Sequence, residues 1–156
     1  MVAGCIDILN GGSIDEHLLD VLAGPAAGSV LAGAEGGLTG YWPRVWALRG
    51  LLYAWSDDAV SAVMRAFGDQ SWRVREMAVR VVAKHIVGEA FDDVVKLQDD
   101  PTPRVRTAAS LVAIAGGEIV GHVWHHSESS TDLPYPASPR WQSDPTGRAG
   151  ALALLS

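Results

Sequence analysis

The feature that most constrains the fold is an internal repeat in the middle of the chain. Three segments align without gaps on a valine that follows an arginine: PRVWALRGLLYAW (43–55), WRVREMAVRVVAKH (72–85) and PRVRTAASLVAIAG (103–116). The aligned valines are Val45, Val74 and Val105, so the first interval is slightly shorter than the second and each is about 30 residues long. A unit repeated at so short a period buries its apolar face by stacking on its neighbours. The repeat therefore predicts one continuous core along this part of the chain.

The apolar spacing within the copies predicts helices. In the second copy, Val74, Met77, Ala78 and Val81 recur at intervals of three and four residues, which is the stripe of a helix that faces a core. A second helix is predicted after each of the first two copies, because DAVSAVMRAF and EAFDDVVKLQ stand between capping and breaking residues. The repeating unit is therefore a helical hairpin of about 30 residues.

The segments on either side of the repeats differ from them in composition. Ser13 and Glu16 form a capping-box pattern that predicts a helix ending at Gly24, and the Gly- and Ala-rich residues 24–40 leave helix and loop both open. Prolines and serines in residues 118–156 predict a flexible tail, whose last residues could form a short helix on the final repeat. We thus expect an N-terminal segment (1–40), the repeats (41–117) and the tail.

Composition and charge exclude several classes of protein. The chain has 156 residues, 48% of them hydrophobic, without an uninterrupted apolar run long enough for a bilayer, so we expect no membrane association. A net charge of −6 argues against a nucleic-acid partner, since such binding depends on clustered Lys and Arg. The first residues lack a basic stretch followed by an apolar one, and Cys5 is the only cysteine. Both observations predict a cytoplasmic protein.

A turn aspartate precedes each of the two later helices. Asp69 stands six residues before Arg75, and Asp100 six residues before Arg106. With the Val-Arg dipeptides that follow these turns, the pattern resembles short bacterial HEAT-like repeats of the phycocyanobilin-lyase type, over residues 41–117. The resemblance implies an all-α fold, a short right-handed α-solenoid of stacked helical hairpins.

The resemblance also implies that aspartates and arginines of neighbouring repeats pair in a ladder. In the first copy, Gly40 and Trp46 stand where the later copies have aspartate and arginine. We therefore expect the ladder to start at the second repeat.

Six side chains are the candidate residues for binding a partner: Arg44, Arg73, Arg75, Arg104, Arg106 and Trp46. Trp46 takes the place of arginines that are expected at the surface, so we expect it to be an exposed aromatic anchor, with Tyr41 and Trp42 beside it. The alternative is structural: the arginines make surface ion pairs or serve the ladder. We expect Trp55 and His85 to be core residues.

The sequence contains no phosphate-binding loop, HExxH helix, GxSxG turn or paired cysteines, so no catalytic residue, metal or cofactor is assigned. His122, His125, His126 and Glu128 have the donor atoms of a metal site, but their spacing matches no standard zinc motif. We interpret any metal binding there as adventitious.

These observations favour a non-catalytic module that binds another protein. A homodimer through the open C-terminal end of the stack is a further expectation, because the third copy lacks its second helix. The resemblance leaves two alternatives open. One is a bilin-lyase-type enzyme or enzyme subunit, and the other is a DNA-binding protein of the alkylation-repair type, which uses basic and aromatic surfaces.

Overall fold

The computed structural model describes residues 1–117, and this part of the chain is all-helical, without a strand. Short 3₁₀ turns join several of the α-helices. The α-helices are α1 (Val2–Leu9), α2 (Glu16–Ala23), α3 (Ala27–Leu31), α4 (Trp42–Leu51), α5 (Val60–Ala66), α6 (Trp72–His85), α7 (Phe91–Lys96) and α8 (Pro103–Gly117). The predicted tail, its histidine cluster (His122, His125 and His126) and its C-terminal helix lie outside the described residues.

The three repeat copies form the longest helices, α4, α6 and α8, as the apolar spacing predicted. A shorter helix follows α4 and another follows α6, so the second helix predicted after each of the first two copies is present. Helix α6 contacts both α4 and α8, while α5 packs on α6 and α7 packs on α8. Successive units are therefore in direct contact along the chain.

Helix ends follow local chemistry. Ser56 caps the turn before α5, where its hydroxyl accepts a hydrogen bond from the Asp58 N–H, as predicted. Pro103 starts α8, a position where the missing N–H of proline costs no helical hydrogen bond. Ile86 is the C-cap of helix α6; it adopts the left-handed conformation with φ 52° and is mostly exposed.

The N-terminal segment contains more helix than the sequence predicted. Helix α1 was not predicted, and it buries Cys5 and Ile8 where it packs on α4 and α5. Helix α2 is present, but the predicted capping box at Ser13 is wrong. The N-cap is Asp15, whose carboxylate accepts hydrogen bonds from the N–H groups of residues 17 and 18.

Residues 24–40 fold into a 3₁₀ turn, α3 and a second 3₁₀ segment. Glu35 has a φ of 54°, and Gly36 and Gly37 also have positive φ, so the chain makes a tight left-handed turn before α4. Together α2 and α3 form a second small core around Leu19 and Val30. The N-terminal segment is thus a packed part of the fold.

The main core runs from α1 to α8. Ala47, Ala78 and Ala109 are fully buried and lie on α4, α6 and α8, at a constant spacing of 31 residues. Small side chains at these positions allow the three helices to approach one another closely. Within residues 1–117, none of the helices is both long and apolar enough to cross a membrane.

Candidate functional site

Two arginine–aspartate pairs connect consecutive units of the repeat. Arg44 Nε donates to Asp69 Oδ2 at 2.6 Å, and Arg75 Nε donates to Asp100 Oδ2 at 2.7 Å. A second guanidinium nitrogen of each arginine reaches the other carboxylate oxygen, so both pairs are bidentate. We refer to these two pairs as the Arg–Asp ladder.

The ladder begins in the first copy of the repeat, so the expectation that it starts at the second repeat is wrong. Arg44 makes the first pair, and the interval from Arg44 to Arg75 equals that from Asp69 to Asp100. The alignment on the valines makes Arg44 equivalent to Arg73. Its contacts make it equivalent to Arg75 instead. The ladder therefore has the same period as the buried alanines of α4, α6 and α8.

Each turn aspartate is bound from both sides. Asp100 accepts from Arg75 of α6 and, through its second oxygen, from the N–H of Thr102 at 2.8 Å. Its backbone carbonyl accepts from Arg106 of α8 at 2.8 Å, and the carbonyl of Asp69 accepts from Arg75 in the same way. Arg44 and Arg75 therefore hold consecutive units together, and Arg106 fixes the turn before its own helix.

Asp100 is the most buried member of the ladder, with 4% of its side chain exposed. Burial alone would raise its pKa. The hydrogen bonds from Arg75 and Thr102, together with the positive charge of Arg75, outweigh burial and lower the pKa of this carboxyl below its usual value. Asp100 is therefore held ionised.

The expectation that Trp46 is exposed is wrong, because only 4% of this residue is accessible. It packs against Leu19, Ala27 and Val30, which belong to the N-terminal segment. Trp46 also stacks on Trp42, with ring centroids 5.7 Å apart. The indole is covered because α2 and α3 lie over the face of α4 that carries it.

A row of aromatic and guanidinium groups runs past the start of α4, α6 and α8. We call it the aromatic–guanidinium ridge and define it as Tyr41, Trp42, Trp72, Arg73 and Arg104. All five residues are half-buried. Trp42, Arg73 and Arg104 are separated by the same interval as the ladder residues, so they occupy the same position in the three units.

Arg73 is the centre of the ridge. Its guanidinium carbon lies 4.5 Å from the ring centroid of Trp72, 5.4 Å from that of Tyr41 and 5.9 Å from that of Trp42. Arg104 approaches the ring of Trp72 as well, at 5.3 Å. These distances are those of cation–π contacts, so both arginines are held against aromatic rings.

One end of the ridge carries a negative charge. The Tyr41 hydroxyl donates a hydrogen bond of 2.8 Å to Glu35, and this bond is the main reason that the pKa of Tyr41 is raised. Glu35 lies in the left-handed turn described above, so the turn and the first ring of the ridge are linked.

Trp55 packs against the main core, but both Trp55 and His85 are half-buried rather than core residues. His85 Nε2 lies 2.8 Å from the carbonyl oxygen of Leu51, which can only accept, so this nitrogen carries the hydrogen. The His85 and Trp55 rings stack with centroids 4.4 Å apart, and the indole N–H donates to Asp57. Within residues 1–117, there is no group of three His, Cys, Asp or Glu side chains placed to hold a metal ion.

A cavity of about 410 Å³ lies between α1, the residues after it and the start of α4. Ile8, Ile14, Leu38 and Pro43 give it apolar walls, and Arg44 is its charged group. The three guanidinium nitrogens of Arg44 already donate to Asp69 or to the Gly40 carbonyl. The cavity therefore offers few polar groups that could orient a ligand.

The structure divides the six predicted partner-binding residues. Arg73 and Arg104 lie together on the ridge, and Arg44 and Arg75 belong to the contacts between units. Arg106 binds the turn before its own helix, and Trp46 is buried. Trp72 was not among the predicted partner-binding residues, although it directly precedes the predicted Arg73 at the start of α6. No protein-family model, curated protein or solved structure matches the chain.

Proposed function

We propose that residues 41–117 are HEAT-like repeats stacked in a short α-solenoid, and that the protein is a non-catalytic module that binds another protein. The observation that carries the first part is the recurrence of the Arg–Asp ladder at a constant period. The buried alanines of α4, α6 and α8 follow the same period. A chain built from nearest-neighbour contacts of this kind presents one repeated surface along its length.

The aromatic–guanidinium ridge is the surface that we assign to the partner. Trp, Tyr and Arg are the residue types that dominate binding energy at protein interfaces, and the ridge consists of these three types alone. Arg73 is restrained by three rings before any partner arrives, so little conformational entropy is lost when it binds. Trp46 supports the ridge from below by stacking on Trp42.

The test compares two double variants in a pull-down from cytosol, the compartment that the sequence predicts. The ridge variant is R73Q/R104Q, and the control is R49Q/K96Q, which removes the same charge from two exposed positions. Circular dichroism verifies that both are folded. Proteins retained by the wild type are identified by mass spectrometry, purified and titrated against each variant by calorimetry.

We expect a partner whose affinity falls at least tenfold for the ridge variant and stays unchanged for the control. A partner that binds the ridge variant as tightly as the wild type would show that the surface is elsewhere. If the wild type retains no protein that binds it directly after purification, the proposed function is wrong.

A further inference from the structure

We infer that the ridge binds an acidic segment of the partner, with Arg73 and Arg104 each contacting a carboxylate. This inference rests on the proposed function for the statement that the partner is a protein. It goes further in naming the chemical groups that the ridge recognises.

Arg73 has the geometry of a carboxylate receptor. Its guanidinium carbon lies over the rings of Trp72, Tyr41 and Trp42. A guanidinium that packs on aromatic rings can still bind a carboxylate through the N–H groups at its edge. Within residues 1–117, Arg73 forms no ion pair and no hydrogen bond through its side chain. This differs from Arg44 and Arg75, whose N–H groups are directed to aspartates.

The spacing of the two cations suits one short peptide. Both guanidinium carbons lie about 5 Å from the ring centre of Trp72, so they are at most about 10 Å apart. Acidic residues three or four positions apart on a helix have Cβ atoms about 5–6 Å apart. Residues two apart on an extended chain are separated by roughly 7 Å. Two carboxylates of one segment can therefore reach Arg73 and Arg104 together.

The aromatic rings strengthen this recognition. Tyr41, Trp42 and Trp72 are half-buried and form an apolar floor beside the two cations. Excluding water from a charge-assisted hydrogen bond increases its strength. An acidic segment with an apolar residue between its carboxylates would use both parts of the ridge.

The charges around the ridge favour an acidic peptide over a nucleic acid. Residues 1–43 contain five acidic residues and no Lys or Arg, and one of these acids, Glu35, is bonded to the first ring of the ridge. A nucleic acid needs a series of cations along its backbone. The two arginines of the ridge match two carboxylates of a short segment, and Glu35 stands at the other end of the ridge.

Synthetic peptides test the inference directly on the full chain. The probe is a fluorescein-labelled twelve-residue peptide with two aspartates three positions apart and a leucine between them. Matched peptides replace both aspartates with asparagine or with lysine, and a fluorescein-labelled oligothymidylate of twelve nucleotides stands for nucleic acid. Binding is measured by fluorescence anisotropy in 50 mM and 500 mM NaCl.

We expect the acidic peptide to bind the wild type, and R73Q and R104Q each to weaken binding at least tenfold. R49Q should leave the affinity unchanged. R73K keeps the charge but loses the flat face that stacks on the rings, so its affinity should fall between those of the wild type and R73Q. Binding should weaken in 500 mM NaCl, because the attraction is between charges.

Three results would overturn the inference: equal affinity for the asparagine peptide, equal affinity of folded R73Q for the acidic peptide, or tighter binding of the oligothymidylate. Absence of binding by the acidic peptide would do so too. If the wild type still captures a protein through the ridge in the pull-down, only the carboxylate chemistry fails. If neither assay gives binding, the proposed function fails with it.

Discussion

Replacement of Asp100 with alanine removes the most buried charge of the Arg–Asp ladder. Its carboxylate accepts two hydrogen bonds from Arg75, at 2.7 and 3.0 Å, and one from the Thr102 N–H at 2.8 Å. The two side chains of the pair are 4% and 12% exposed. In D100A the buried guanidinium of Arg75 would lose its counterion. The Thr102 N–H, in the turn before α8, would lose its hydrogen-bond acceptor.

Removing one partner of a buried ion pair costs about 3–5 kcal/mol of unfolding free energy. Arg75 keeps its bonds to the carbonyls of residues 69 and 70, so we expect the lower end of that range, about 3 kcal/mol. The control is D93A. Asp93 pairs with Lys96 on the surface, where the lysine is 75% exposed, and such a pair contributes less than about 1 kcal/mol.

The assay is urea unfolding at pH 7, followed by circular dichroism at 222 nm. With a denaturant slope of about 1.5 kcal/mol per M, a loss of about 3 kcal/mol lowers the midpoint by about 2 M. D93A should move it by less than about 0.5 M. A D100A midpoint that falls no further than that of D93A would refute the reasoning, because the ladder would then contribute no more than a surface pair.

The same pair predicts a dependence on pH. Because the pKa of Asp100 is lowered on folding from its ordinary value of 3.8, folding favours the ionised carboxylate. The contribution of the Asp100 carboxylate to stability is complete above the pKa that it has in the unfolded state. This contribution is lost as the pH falls through the lower pKa of the folded state. The stability difference between the wild type and D100A should therefore be constant above pH 5 and shrink below pH 4. Urea unfolding at pH 7 and pH 3 measures it.

Four further measurements test the packing of the fold. G50A should destabilise by about 1–2 kcal/mol, because a Cβ there would lie 2.6 Å from Leu22 Cδ2 and 3.2 Å from Cys5 Sγ. In G28A the added Cβ meets no atom within 4 Å, so the free energy of unfolding should rise by about 0.5 kcal/mol. If G50A, G28A and the wild type all melt at the same temperature, both predictions are contradicted. W46A should cost about 3–5 kcal/mol, and an unchanged melting temperature would mean that the ring is not a core residue. Burial raises the pKa of the Cys5 thiol and shields it, so its reaction with a disulfide reagent should be slower in the native state than in urea. Comparable rates would show that the thiol is accessible.

The sequence predicted the helices of the repeats because their apolar stripes are set by local periodicity. Helix α6 illustrates this: its buried residues Val74, Ala78 and Val81 repeat at helical intervals, and its polar residues lie between them. Its observed range, Trp72–His85, is that of the second aligned segment, 72–85.

The register of the first repeat could not be read in the same way. Helix α4 contacts α1, α2 and α6, so it is buried on several sides and Val45, Trp46, Ala47 and Leu48 are all inaccessible. A helix with apolar residues on several sides has no single apolar stripe. An alignment of this helix with α6 that is shifted by two residues therefore matches apolar positions equally well. The contact between Arg44 and Asp69 and the burial of Ala47 fix the register of this repeat against the next.

The burial of Trp46 and the composition of the ridge depend on contacts between distant parts of the chain. The residues that cover Trp46 come from α2 and α3, and α3 lies in the segment 24–40, where composition left helix and loop both open. For α1 there was a local signal, because Val2, Cys5, Ile6 and Leu9 have helical spacing. Arg73 and Arg104 were predicted as surface cations, but the rings that hold them were not.

The separation of the ladder partners along the chain has a consequence for how the protein reaches its native state. Arg44 and Asp69 are 25 residues apart, and so are Arg75 and Asp100. Each pair therefore closes a short loop, for which the entropy lost on closure is small. Helical proteins dominated by such local contacts fold in microseconds to milliseconds. During synthesis, each pair can close as soon as its aspartate has left the ribosome, so the chain can build its structure in the order in which it is made.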